Sequence, residues 1–185
     1  MAKVVTGICR FSYLNCWEPH AVEDGQKAKY SVSLIIPKSD TATVEKIKAA
    51  IQEAYKEGEG TLRGTGKSVP KLETIKNPLR DGDTERPDDE NYRNAYFVNA
   101  SSISQPGVVD AKCQRIIDTS EMYSGVYGRA SVNFYAFNKN GNRGIACGLN
   151  NLQKVRDGEP LGGATRAEDD FNDGFTVEAE DDFLD

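Results

Sequence analysis

Residues 129–137 read Arg129-Ala130-Ser131-Val132-Asn133-Phe134-Tyr135-Ala136-Phe137, and their alternation decides the fold. A period of two is the signature of a β-strand, whose side chains point to opposite faces in turn. One face carries Ala130, Val132, Phe134 and Ala136 and is compact and apolar. The other carries Arg129, Ser131, Asn133, Tyr135 and Phe137. Such a strand is the wall of an antiparallel barrel or sandwich, packed on one side and wet on the other.

The segment that follows, Asn138-Lys139-Asn140-Gly141-Asn142, contains Asn-Gly, the strongest short hairpin signal, and predicts a return strand over 143–149. Leu149, Leu152 and Val155 then suggest a short helical turn closing the domain. Working back toward the N-terminus, residues 95–101 and 29–36 are further strands. In the latter Tyr30, Val32, Leu34 and Ile36 alternate with Lys29, Ser31 and Ser33. Residues 4–13 read as one strand in which Gly7 marks a bulge or bend. A loop with Trp17, Pro19 and the single histidine, His20, links these two.

Between residues 40 and 57 the period changes to that of a helix. Val44, Ile47, Ile51, Ala54 and Tyr55 recur on one face, Asp40 is placed to cap the start, and Gly58 and Gly60 stop the end. Residues 61–94 are polar and show little period. Residues 76–83 predict an ordered loop, 83–90 a mobile stretch, and 108–110 and 115–117 short edge pieces. Five strands, one inserted helix and a central hairpin describe a mainly β, five-stranded barrel. An immunoglobulin-like sandwich is the competing architecture, but it wants more strands and no long helix.

The 185 residues carry a net charge of −6, which argues against a polyanionic partner until its distribution is read. Residues 168–185 hold nine acids and no Lys or Arg, so the remainder has 20 acids against 23 bases. The expected organisation is a mildly basic domain, residues 1–163, and a disordered acidic tail, residues 164–185. No apolar run approaches the roughly 18 residues of a membrane span or resembles a signal peptide, which predicts a cytoplasmic protein. Cys9, Cys16, Cys113 and Cys147 are scattered without metal-ligand spacing, so neither disulfide, metal nor cofactor is expected.

The polar face of residues 129–137 suits a surface on which bases stack while cations pair with phosphates. Arg129, Tyr135 and Phe137 lead the candidate DNA-binding residues, with Lys139 and Arg143 flanking the hairpin tip. Arg10, Tyr13, Trp17, Lys29 and Arg80 are secondary candidates. The same aromatics also suit a second packed layer or a homodimer contact. The acids Asp81, Asp83, Glu85, Asp88, Asp89 and Glu90 form the one cluster that suggests an enzyme, a Mg²⁺-dependent nuclease. They crowd one loop rather than separate rigid elements, and no nucleophile–base pair accompanies them, so a non-enzymatic binder is the reading preferred. A protein-interaction module that ignores nucleic acid is the third class. In the tail, Glu180, Asp181, Asp182 and Phe183 combine charge with an aromatic, a chemistry suited to docking on a basic-rimmed apolar pocket.

Several segments resemble one family. They are Arg10-Phe11-Ser12-Tyr13, residues 30–38, Lys76-Asn77-Pro78-Leu79-Arg80-Asp81-Gly82, Tyr123-Ser124-Gly125-Val126-Tyr127-Gly128-Arg129-Ala130, and the long run over 148–163. The family is that of single-stranded DNA-binding proteins of tailed phages and prophages. The resemblance implies an OB-fold that holds single-stranded DNA with little sequence preference during phage replication or recombination. More distantly, the chain is similar to acidic-tailed replication proteins whose Asp-Asp-Phe-like ending contacts phage or host replication proteins. Glu180-Asp181-Asp182-Phe183 matches that ending, with Leu184 and Asp185 added.

Overall fold

The computed structural model describes residues 2–21, 23, 25–161, 171 and 174. The acidic ending Glu180-Asp181-Asp182-Phe183 and most of the tail lie outside these residues. Eight strands form among them: β1 (Ala2–Val5), β2 (Cys9–His20), β3 (Lys29–Pro37), β4 (Arg80–Asp81), β5 (Ala95–Ser102), β6 (Gly107–Val109), β7 (Tyr127–Lys139) and β8 (Asn142–Arg156). Five of them close a ring, β7–β2–β3–β5–β8 and back to β7. Every seam is antiparallel except β5–β8, which is parallel and registered at Ser101↔Gly148. This is the five-stranded barrel expected from the sequence, and ring closure excludes a two-sheet sandwich.

Alternation fills the barrel as anticipated. Ala130, Val132 and Phe134 of β7 meet Val32, Leu34 and Ile36 of β3 and Phe11 of β2 in one core. Helix α1 (Thr41–Glu57) adds Val44, Ile47, Ile51 and Ala54. Asp40 caps it by accepting from the Thr43 amide at 3.2 Å, and Gly58 ends it. Gly60 does not stop the chain but lies inside a second short helix, α2 (Glu59–Arg63).

The strand expected over residues 4–13 is divided. β1 and β2 both pair with β7, and the link at Thr6-Gly7-Ile8 bulges outward to meet the start of α1. There the Gly7 amide donates to Thr43 Oγ1 at 2.9 Å, and any Cβ at residue 7 would stand 2.6 Å from Asp40 Oδ2. Trp17 and His20 belong to β2 rather than to a loop.

The helical turn expected at Leu149, Leu152 and Val155 is a continuation of β8. Its three-residue spacing has another cause. Ser131 pairs with Asn151 while Val132 pairs with Leu149, so Asn150 is an extra residue. A bulge shifts the phase of the strand, and Leu149 and Leu152 both reach the core. The hairpin before it follows the sequence reading: Lys139 pairs with Asn142 across Asn140 and Gly141, both at positive φ (52° and 87°). Those are the dihedral signs of a type I′ turn.

The stretch read as mobile, residues 83–90, is organised by its own acids. Asp81 caps α3 (Gly82–Glu85) and Asp89 caps a 3₁₀ turn at Glu90–Tyr92. Tyr92 then packs on Ile35, Ala95 and Phe97 as a small satellite core on the outer surface of the barrel.

Candidate nucleic-acid interface

Beyond the satellite core at Ile35, Ala95 and Phe97, the outward face of β3 and β5 is made of short polar side chains. Register places Ser33 opposite Asn99 and Ser31 opposite Ser101, and Ser101 in turn lies beside Gly148, which pairs with Asn133. Small residues leave the sheet surface low, and larger groups rise at its margins. Two clefts follow. One, of about 710 Å³, lies between Tyr13, Ser31, Ser33, Asn99 and Arg86. The other, of about 330 Å³, lies between Lys29, Ser101, Asn133, Tyr135 and Asn150. The Ser31↔Ser101 backbone pair brings their floors together.

Tyr13 and Tyr135 stand at the edges of these clefts, 60% and 40% exposed. Tyr13 owes its position to a left-handed backbone (φ 48°) at an irregularity in the β2–β3 ladder. Phe137 shares the outward face of Tyr135 and is half-buried. Neither Tyr135 nor Phe137 is sealed in the interior. Arg86, which the sequence reading passed over, has its guanidinium 4.7 Å from the Tyr92 ring centre, 5.0 Å from Phe97 and 5.4 Å from Tyr13. It sat unnoticed inside an acidic run. The Ser31/Ser33 and Asn99/Ser101 rows were present as alternation in two strands, but only pairing register puts them side by side.

The other candidates divide. Lys29 lines the second cleft, and Lys139 is exposed at the hairpin with Arg143 half-buried beside it. Arg10 is occupied within the fold: Nε donates to the Gly125 carbonyl at 3.2 Å, Nη2 to the Glu159 carbonyl at 2.7 Å and Nη1 to Asn91 Oδ1 at 3.3 Å. Arg80 pairs with Glu85 at 2.8 Å and lies over Phe97. Arg129 Nε donates to the Thr6 carbonyl at the β1–β2 bulge, and Trp17 Nε1 donates to the Thr119 carbonyl, both at 3.0 Å. Each of these four has at least one partner within the fold.

The acid cluster considered for a nuclease is likewise engaged. Asp81 and Asp83 both hold the Lys38 ammonium, at 2.9 and 2.8 Å, and Glu85 holds Arg80. The Lys38 ammonium, together with the Asn94 amide, keeps the Asp83 carboxyl below the ordinary carboxylate range. Among the described residues no group of three or more His, Cys, Asp or Glu is placed to hold a metal ion. Cys9, Cys16 and Cys147 are buried free thiols, and burial pushes Cys9 and Cys16 up to about 12, far from a reactive thiolate.

The model of the family described as the single-stranded DNA-binding protein of Enterobacter phage Enc34 matches residues 2–184. The chain belongs to that family. It is a family of DNA-binding proteins rather than of enzymes. A relative named putative protein p50, from Acyrthosiphon pisum secondary endosymbiont phage 1, is 31% identical over 97% of each chain. Among solved structures, the Enc34 single-stranded DNA-binding protein in complex with single-stranded DNA shares the fold at a TM-score of 0.70. Its identity is 22%, over 87% of this chain and 90% of that one. The gp2.5 single-stranded DNA-binding protein of bacteriophage T7 superposes at 0.61 with 15% identity, over 95% and 98% of the two chains. Among the described residues no helix is long and apolar enough to cross a membrane.

Proposed function

We propose that this chain binds single-stranded DNA with little sequence preference, in the replication or recombination of a phage genome within the host cytoplasm. One observation carries the reading. The outer face of β3 and β5, the surface OB barrels use for oligonucleotides, is a pair of joined polar clefts edged by two exposed tyrosines and reached by Lys29. Bases stack on Tyr13, Tyr135 and Phe137, and Lys29, Lys139 and Arg143 answer the phosphates. Stacking accepts any base, and each stacked base is worth about 1–3 kcal/mol. Arg10, Trp17, Arg80 and Arg129 serve this surface indirectly by holding the strands that present it.

In this reading residues 1–163 are the binding domain and residues 164–185 an acidic tail. The tail competes with DNA for the basic surface and, once displaced, recruits replication proteins through Glu180-Asp181-Asp182-Phe183. The test is a gel shift of labelled single-stranded DNA challenged with unlabelled single strand, duplex and RNA. Single strand is expected to displace the label and duplex to fail; equal displacement by duplex sinks the proposal. A chain ending at residue 163 is expected to bind more tightly, most of all at low salt. Unchanged affinity at low salt removes the competing tail and leaves the cleft assignment standing.

A further inference from the structure

A second basic surface adjoins the clefts, and it is built from a segment that the functional reading leaves unused. Between residues 61 and 79 four cations, Arg63, Lys67, Lys71 and Lys76, stand against one acid, Glu73. All four are exposed. Backbone contacts carry this segment to the β7–β8 hairpin. Lys76 pairs with Gly144, its amide donating to the Arg143 carbonyl at 3.1 Å and its carbonyl accepting from Ile145 at 2.9 Å. At the other end, Asn138 Nδ2 donates to the Thr61 carbonyl at 3.1 Å, next to Arg63. The hairpin contributes Lys139 and Arg143. None of the six cations forms an ion pair with a carboxylate of the described residues.

This placement contrasts with the other well-anchored cations. Lys38, Arg80 and Lys154 each hold a carboxylate at 2.7–2.9 Å. Lys38, Arg80 and Lys154 are neutralised within the fold, whereas the cations around the hairpin keep their charge for a polyanion. Lys139 links this surface to the clefts. Tyr135, Phe137 and Lys139 share one face of β7, and four residues of strand carry that face about 13 Å from the cleft margin to the hairpin tip.

Building on the single-stranded DNA reading, we propose that the segment from Arg63 to Lys76, with Lys139 and Arg143, is a second phosphate track. It takes the part of the strand that leaves the clefts past Tyr135. The clefts then hold bases by stacking, while the track holds only backbone, so it lengthens the site without adding sequence preference. Each phosphate neutralised on a single strand changes the slope of log affinity against log salt by about 0.7.

The experiment compares a short oligonucleotide of about 5 nucleotides with one of about 20, a range set by the sizes known for OB-fold sites. It uses the full chain, the double variant Lys67→Glu with Lys71→Glu, and a control of equal charge change remote from the hairpin, Lys46→Glu with Lys112→Glu. All four lysines are exposed, and none contributes to the clefts. The track variant is expected to lose about tenfold in affinity for the long oligonucleotide and to flatten its salt slope by about 1.4, while the short one changes less than twofold. Equal losses on both lengths, or equal losses in the control, overturn the track. So does an unchanged salt slope on the long oligonucleotide. If the unmodified chain retains neither length, the DNA reading itself falls and takes the track with it.

Discussion

Around Tyr127 the barrel gathers cations and uses them up. Arg10 and Arg156 lie 5.3 and 4.4 Å from the ring centre, and Arg10 binds the carbonyls of Gly125 and Glu159. Close by, Lys154 enters the wall of the barrel and holds Glu121 and Asp157 at 2.8 and 2.7 Å. Burial opposes its charge, but the hydrogen bonds it donates to Asp157 and Glu121 outweigh that and raise its pKa. Around Tyr135 the arrangement is the reverse. Lys29 reaches a cleft floored by serine, asparagine and glycine, and the aromatic ring stands 40% exposed. One region spends its cations on closing the chain upon itself, and the other presents Lys29 and an aromatic ring at an open cleft.

The contrast explains where the family resemblance resides. The segments around Arg10, Gly125 and Gly158, far apart in sequence, meet at one joint. A Cβ at Gly125 would stand 2.1 Å from the Glu159 carbonyl oxygen, and a Cβ at Gly158 would stand equally close to that of Gly125. Tyr123 Oη donates to the Gly158 carbonyl, and the Leu161 amide donates to that of Ser124. Three of the segments that resemble the family therefore meet where the barrel is tied shut, while residues 30–38 and Tyr13 also contribute to the proposed DNA surface.

If the two regions are separate in this way, their variants should fail separately. Tyr135→Ala is expected to give the largest change in binding, about 1–3 kcal/mol or roughly 5- to 150-fold in Kd for single-stranded DNA. Its thermal stability should move by no more than about 0.5 kcal/mol, as for most surface changes. Titration by fluorescence anisotropy beside a melting curve reads both, and a stability loss matching the binding loss would erase the distinction. Arg10→Ala is expected to behave oppositely. Losing its charged hydrogen bonds should cost about 2 kcal/mol, a drop of about 4–8 °C in Tm, while the folded fraction binds DNA within about twofold. Strong loss of affinity in a fully folded Arg10→Ala protein would return Arg10 to the interface.

The smallest effect concerns acid. Asp83 is held below its ordinary range by Lys38, so its contribution to stability is present above the usual carboxylate pKa of about 4 and is lost as pH falls through the lowered folded value. Between neutrality and pH 5 no change should appear. Below about pH 4 the segment over residues 81–94 should loosen, and Asp83→Asn should show a shallower acid limb in Tm against pH. An identical limb in the variant would remove the ion pair from the account.

Most of the barrel was legible because its strands keep a strict period of two, and α1 because its period and its cap agree. The departures have local causes. At residues 149–155 the extra residue Asn150 makes a strand imitate a helix. At 83–90 the acids looked like solvated charge because their partners, Lys38 and the amides they cap, are fixed only by the fold. Tyr135 could be named from its strand, since its exposure follows from alternation, whereas Tyr13, two residues after buried Phe11, is turned outward by the left-handed backbone at the β2 irregularity. Arg86 could not, because its three rings come from three different elements. Nor could the sequence show that Arg10 and Arg129, which alternate like ligand-facing residues, each meet backbone carbonyls of the fold.

Closure of the ring joins β2 to β7 through Cys9 and Gly128, whose contact spans 119 positions of sequence. During synthesis, β2, β3 and β5 leave the ribosome as an open three-stranded meander whose apolar face lacks the β7 and β8 walls. The wall completes only when β8 has emerged as far as residue 156. A nascent chain of this protein is thus an incomplete barrel for most of its translation, with unpaired strand edges that invite association with its neighbours on the same message.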